Sequence, residues 1–342
     1  VTSSPWGGSL TSSAVRSAMQ AMDATIPKHL ALPVNVGPYT VIRTTTIVNS
    51  TDTVQMYGFF RGERMTVTSS DTPIVTTSLR DMEGWAPYIG VTGNSAQTPS
   101  LNSKFKACSQ LNSLGPAATL APAAMTVQVM SGRGLAGDTP ASGILYMGNA
   151  NTQFRLEGST TTWNEIGQDF VSYQKPRLVA GSRLALRGVK MVSKPYNIQE
   201  LYDMDRLVDP VSNTADAAAD VDVPWTSSET SSTNTAENGR WKMKGFAPSI
   251  IYNPNNADIT CLVTAEWRVR FDYQHPASST HRHHPAAPTG VWDRVQQGLH
   301  AAGPNVQDIV ESVATTGMNA IAQAGMNRLS QAAAQLDLMA MD

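Results

Sequence analysis

Residues 259–273 read ITCLVTAEWRVRFDY and alternate almost throughout. Ile259, Cys261, Val263, Ala265, Trp267, Val269, Phe271 and Tyr273 fall on one side; Thr260, Thr264, Glu266, Arg268, Arg270 and Asp272 fall on the other, with Leu262 the apolar exception. Side chains of a strand alternate faces, so this spacing predicts one long β-strand with an apolar face and a charged face. At about 3.3 Å per residue it spans roughly 50 Å, about twice an ordinary strand. The segment QHPASSTHRHHP follows at once, and its prolines end the sheet domain there.

The same pattern reading orders the rest of the chain. Residues 11–22 begin with Thr/Ser capping candidates and place Val15, Ala18, Met19 and Met22 at helical spacing, which predicts a short N-terminal helix. Residues 39–49 and 53–61 are dense in β-branched and aromatic side chains, and with Ser50, Thr51 and Asp52 as a tight turn they predict a hairpin. Residues 68–122 carry scattered Gly, Pro, Ser and Asn and predict an elaborated surface loop. Strands are predicted at 125–130 and 144–147, a short crossover helix at 163–173, and a strand over 175–196 interrupted by a β-bulge at Gly188. Residues 209–240 lack periodicity and predict an exposed insertion, and strand character returns at 246–252. Beyond Pro288 the apolar positions Val291, Val295 and Leu299, then Val306, Ile309, Val313, Ile321, Leu329 and Leu336, predict amphipathic helices. The order is helix, about eight strands with long loops, then helices, without βαβ alternation: an all-β protein. The domains expected are an N-terminal arm at 1–35, a sheet domain at 36–275 with insertions at 68–122 and 209–240, and a helical tail at 276–342.

Composition sharpens this in one respect. Charged residues make up 15% of the 342, against about a quarter in an average soluble protein, and the net charge is −2. A surface poor in charge suits a protein covered by other subunits; the alternative is a Thr/Ser-rich surface of uncharged polar groups. No apolar run is long enough for a transmembrane helix, and no signal peptide opens the sequence. The chain opens on Val1 and not on methionine, so an upstream segment is expected. Two cysteines, Cys108 and Cys261, give no disulfide framework and fit a reducing compartment.

Candidate chemistry is sparse. His281, His283 and His284 form the most metal-like cluster, but they lie in a Ser/Pro loop without a carboxylate or cysteine at ligand spacing. Asp203 and Asp205, with Asp209, Asp216, Asp220 and Asp222, could offer oxygen ligands to a structural calcium at a subunit boundary, yet they lack the spacing of a calcium loop. No nucleophile elbow, P-loop or dinucleotide fingerprint is present, so no enzymatic activity and no cofactor are expected. Lys175, Arg177, Arg183, Arg187, Lys190 and Lys194 form a basic stretch without an acid; it reads equally as a nucleic-acid contact or as sheet edges guarded against pairing.

SGILYMG at 142–148, FVSYQKPRLVAGSRLALRGVKMVSKPYN at 170–197 and EWRVRFDYQHPASSTHRHHP at 266–285 resemble the capsid proteins of nodavirus-like RNA viruses and of the bacilladnaviruses, single-stranded DNA viruses of diatoms. The resemblance covers about residues 35–290. It implies a single viral jelly roll, eight antiparallel strands in two facing sheets, self-assembling into an icosahedral shell, commonly with T=3 geometry, that encloses an RNA or single-stranded DNA genome. Virions assembled inside the host cell follow from the same resemblance; that the loops at 68–122 and 209–240 project outward, where receptor contact is expected, is read from their length and polarity alone. Two departures stand out. Residues 1–30 hold only Arg16 and Lys28, so a basic genome-binding arm is absent or precedes Val1. Asn319-Ala320 matches the bond type at which many nodavirus capsids cleave themselves, but no partner aspartate can be nominated.

In the capsid reading Glu266, Arg268, Arg270 and Asp272 face a neighbouring subunit or the particle interior. Arg268 and Arg270 therefore join Lys175, Arg177, Arg183, Arg187 and Lys190 as candidate nucleic-acid or subunit contacts. The alternatives are a carbohydrate-binding, lectin-like β-sandwich, with Trp85, Tyr88 and Trp225 as candidate aromatics, and a cupin-like metalloprotein that depends on the histidine cluster.

Overall fold

The computed structural model describes residues 13–63, 68–69, 72–73, 84–99, 104–115, 117–131, 143–150, 161–186, 188–207, 221–222 and 240–302. Helix α1 (Ser13–Gln20) precedes strands β1 (Thr40–Ser50), β2 (Val54–Tyr57), β3 (Phe60–Glu63), β4 (Thr68–Ser69) and β5 (Thr72–Pro73). Next come β6 (Gly84–Trp85), β7 (Tyr88–Gly93), β8 (Lys104–Ala107), β9 (Thr119–Met130) and β10 (Ile144–Asn149). Helix α2 (Trp163–Gln174), β11 (Arg177–Ala180), α3 (Gly181–Leu186), β12 (Val189–Val192) and β13 (Asp205–Arg206) follow. The chain then forms β14 (Val221–Asp222), β15 (Arg240–Met243), β16 (Ser249–Tyr252), β17 (Ile259–Arg270) and α4 (Thr289–Ala302).

Two antiparallel sheets carry the fold. The first runs β1-β17-β9-β12, with β13 also on β9; the second runs β11-β10-β16-β2-β7-β8-β14. Take β1, β2, β9, β10, β11, β12, β16 and β17 as first to eighth: first pairs with eighth, second with seventh, third with sixth and fourth with fifth. These nested pairs are one long hairpin folded over on itself, which is the jelly roll expected above. Strands β7, β8 and β14 widen the second sheet past β2.

Several local expectations change. The predicted hairpin of 39–49 and 53–61 does not form: β1 pairs with β17, while β2 pairs with β16 and β7, so the Ser50 to Thr53 turn carries the chain from one sheet to the other. Within 68–122 the chain is not surface loop throughout: every residue of β7 is buried within the widened sheet, while Asn94, Ser95 and Ala96 just after it are exposed. The predicted bulge at Gly188 is replaced by strand, helix and strand: β11, α3 and β12. Gly188 adopts φ 65° between the last two, where a Cβ would lie 2.9 Å from the Val129 carbonyl oxygen. The long strand ends at Arg270, leaving Tyr273 81% exposed instead of on the buried face. Of 209–240, only 221–222 and Arg240 are described; Trp225, the remaining loop acids and the tail beyond Ala302, with Asn319-Ala320, lie outside the described residues.

Core packing follows from the alternation. Cys261, Val263, Ala265, Trp267 and Val269 of β17 point between the sheets and are buried. Phe59 meets Trp267 edge-on at 4.7 Å between ring centroids, with Trp85 at 6.2 Å. A second core lies on the far side of the second sheet, where Trp163, Ile166 and Phe170 of α2 pack on Val54, Met56, Val91 and Ile250. The helix starts with a reciprocal cap: Thr162 Oγ1 accepts from the Glu165 amide at 3.2 Å, and Glu165 Oε2 accepts from the Thr162 amide at 2.7 Å. Gly93 and Gly167 let α2 lie flat, since a Cβ on Gly93 would sit 1.9 Å from the Trp163 indole nitrogen and one on Gly167 2.2 Å from the Tyr252 ring.

Candidate functional site

The outward face of the first sheet carries Glu266, Arg268 and Arg270, and an N-terminal segment of the chain lies across part of it. Residues 21–32 cross this face, with the segment's own Ala21, Met22, Ala24, Leu30 and Leu32 buried. Helix α4 braces it through Trp292, whose indole N–H donates to the Ala31 carbonyl at 3.0 Å. Under this strap lies a seam of buried ions, a costly arrangement unless each group is partnered.

Arg268 is 1% exposed and donates to three backbone carbonyls: Pro122 at 2.5 Å, Leu201 at 3.1 Å and Leu30 of the strap at 2.9 Å. Burial pushes its guanidinium pKa down, against Tyr39 and Glu266, which oppose that shift. Glu266, fully buried, accepts from Arg43 at 2.8 Å and lies 2.9 Å from His29 Nδ1. Arg43 also donates to the Ile26 carbonyl at 2.8 Å. These contacts correct the expected role of Arg268 as a subunit or genome contact: it is enclosed by its own chain. Arg270, one alternation further, is half-buried and holds the Pro38 carbonyl at 3.2 Å.

The strap's other end is anchored by Asp23, 2% exposed. It pairs with Lys190, takes the Thr25 amide at 3.0 Å and hydroxyl at 2.7 Å, and accepts from Thr126 at 3.0 Å. Burial alone would raise the Asp23 pKa, but Lys190 and Thr25 outweigh it and hold the carboxyl below its ordinary value. A carboxyl with a depressed folded pKa stabilises the fold above its unfolded pKa and loses that contribution as pH falls through the folded value. The strap should therefore loosen on acidification below about pH 4. Hydrogen exchange of residues 21–28 between pH 6 and pH 3 should show protection falling in the parent and a flatter profile in Asp23→Asn. Parallel profiles would remove Asp23 as the anchor.

The remaining basic candidates separate. Lys190 is spent on Asp23, so it is not an open contact. Lys175 caps the C-terminus of α2 in a left-handed conformation, φ 47°, and is exposed. Arg177 is half-buried on β11, Arg183 is exposed on α3, and Lys194 is 8% exposed, its pKa lowered by burial. Arg187 lies outside the described residues. The stretch that reads as one basic surface is thus distributed over a helix end, an edge strand and the strap anchor.

The histidines do not converge. His281 Nε2 accepts from the Phe271 amide at 2.9 Å, which requires that nitrogen to be unprotonated. His283 contacts Asn35 at 2.9 Å, and His284 stacks on Tyr39 at 4.1 Å. Asp203 and Asp205 instead grip Arg61, which lies over the Trp85 ring at 5.6 Å. Burial would lower the Arg61 pKa, but the two carboxylates raise it. Among the described residues no three His, Cys, Asp or Glu side chains are placed to hold a metal, so the two weak metal candidates are not brought together. Both cysteines are buried and unpaired, and burial pushes Cys261 up to about 12.

One open cleft of about 230 Å³ lies at the end of the sandwich, lined by Asn49, Ser50, Thr51, Asp52, Lys104, Lys106 and Asp258. Asp52 accepts from Ser50 at 2.9 Å and Thr92 at 2.5 Å, with Lys104 3.8 Å away. Sequence reading missed this group because its members come from the end of β1, the turn after it, β8 and the turn before β17, and none is unusual alone.

No family model and no curated protein matches the chain. Among solved structures, the crystal structure of a 60-mer BFDV capsid protein aligns over 74% of this chain and 100% of that chain, at 10% identity and a TM-score of 0.25. A superposition this loose defines neither fold nor function. No described helix is long and apolar enough to cross a membrane.

Proposed function

We propose that this chain is a viral capsid protein that self-assembles into an icosahedral shell, with T=3 geometry, around a nodavirus-like RNA or bacilladnavirus-like single-stranded DNA genome. The observation that carries the reading is the nested strand order, first with eighth through fourth with fifth, found in a chain whose segments at 142–148, 170–197 and 266–285 resemble those capsids. Jelly rolls also serve lectins and cupins. Those alternatives lose support here: Trp85 and Tyr88, two of the three aromatics a lectin would display, are 0% and 2% exposed, and the histidines point to separate partners. The shell would reside in the virion, its genome held by phosphate contacts that do not read base or sugar, and its receptor met by the insertions.

Electron microscopy of the purified full-length protein, over a range of salt and pH, tests this. Closed particles of uniform diameter are expected. Monomers that never associate under any of these conditions would refute the assignment.

A further inference from the structure

The segment that follows β17 is held by two imidazoles acting as acceptors. His281 Nε2 accepts from the Phe271 amide at 2.9 Å, and His275 Nδ1 accepts from the Ala277 amide at 3.1 Å, capping the 3-10 turn Pro276–Thr280. Both rings stack on Phe271, with centroids 4.7 Å away for His275 and 6.0 Å for His281. From this stack the segment reaches across to the head of β1. Tyr39 and Arg282 exchange backbone hydrogen bonds at 3.1 and 3.0 Å, the hydroxyls of Thr40 and Thr280 meet at 2.7 Å, and His284 stacks on Tyr39. Residues 271–284 therefore tie the end of β17 to the start of β1 and lead on to α4.

Proton counting gives the sign of the pH response. A ring nitrogen that accepts a hydrogen bond is unprotonated; once it takes a proton, one N–H faces another and the bond is lost. Stacking on Phe271 tolerates either form, whereas the two hydrogen bonds do not. The closed segment thus binds up to two fewer protons than the open one, and its stability falls as the pH falls. The charged and titratable groups on the elements packed here are Arg270 and Asp272 at the end of β17, Tyr39 at the head of β1, and Arg282, His283 and His284 on the segment itself. Among the described residues no carboxylate pairs with His275 or His281, so no ion pair holds their protonated forms in place. Burial pushes the His284 pKa down, and His29, Arg268 and His283 add to that against the Tyr39 carbonyl, which leaves this ring neutral. His29 has the opposite sign: it lies 2.9 Å from Glu266, so a proton on it adds an ion pair to the strap.

We propose that residues 271–284 form an acid-labile latch that opens below about pH 6.5, where a free imidazole takes up its proton, while the strap at 21–32 stays closed until Asp23 is protonated. Mild acid then loosens the connection between β17 and α4 before it touches the cover over Arg268. The latch is built within one chain and stands apart from the shell assignment.

Hydrogen exchange of the full-length protein between about pH 7.5 and pH 5.5, corrected for the intrinsic exchange rate, reads the latch at the Phe271 and Ala277 amides. Protection across 271–282 should fall by about tenfold or more in the parent, with residues 21–28 unchanged. His281→Gln and His275→Asn put a side-chain oxygen that does not titrate where each accepting nitrogen stood, and the double variant should keep its protection over the whole range. A flat parent profile, or one in which 21–28 loosens first, overturns the latch. So does a double variant whose protection falls as steeply as the parent's. His281→Ala carries the same test if the double variant does not fold: Phe271 protection should be low and independent of pH, and a fall matching the parent's overturns the role of His281.

Discussion

Replacing Arg268 by alanine is expected to destabilise the fold by about 3–5 kcal/mol, the cost of breaking a buried ionic arrangement by removing one member. The change strips the donor from three carbonyls, each belonging to a different part of the chain: Leu30 of the strap, Pro122 of β9 and Leu201. It also leaves a void the size of a long side chain beneath the strap. Lysine should recover only part of the loss, since a single ammonium cannot reproduce the planar fork that reaches carbonyls on separate sides. Arg270→Ala, by contrast, should change stability by no more than about 0.5 kcal/mol, because it removes one exposed hydrogen bond to Pro38. Chemical denaturation of the two single variants separates them. Equal, small losses would mean that the enclosure of Arg268 contributes nothing to folding.

Trp267→Ala should cost a similar amount, about 3–5 kcal/mol, by a different route. This indole stands where the two sheets meet, in contact with Phe59 and near Trp85, and alanine would leave a cavity that rigid strands on both sides cannot close. Its ring N–H makes no hydrogen bond among the described residues. Phenylalanine removes that unbonded donor while keeping an aromatic face, so Trp267→Phe is expected to cost about 1 kcal/mol or less. Thermal unfolding of both variants provides the comparison, and a Phe variant as weak as the Ala variant would show that the indole shape, and not aromatic bulk, fills the joint.

These two residues also show what the sequence can and cannot reveal. Period-two alternation identified β17 and correctly put Trp267 on its inner face, because that depends on backbone geometry alone. It put Glu266 and Arg268 on the opposite face, also correctly, but a face says nothing of what lies on it. The cover comes from residues 21–32, more than two hundred positions away, and no local pattern announces it. Strand β7 escaped detection for a related reason: YIGVTG is buried on both faces and so shows no alternation, and its glycines read as loop. The hairpin expected from β1 and β2 failed because closeness in sequence favours pairing only when both strands stay in one sheet. The cleft of Asp52, Lys104 and Asp258 was illegible altogether, being assembled only by the roll.

The nested pairing has a consequence for how the chain is made. Strand β17 pairs with β1 across about two hundred residues and lies between β1 and β9, so the middle of the first sheet is the last part to leave the ribosome. Until it emerges, both of its neighbours present an unpaired side along most of their length, a template for aggregation in any truncated product. Synthesis thus withholds a finished first sheet until translation has passed Arg270, and a chain interrupted earlier cannot offer a complete outer face to a partner.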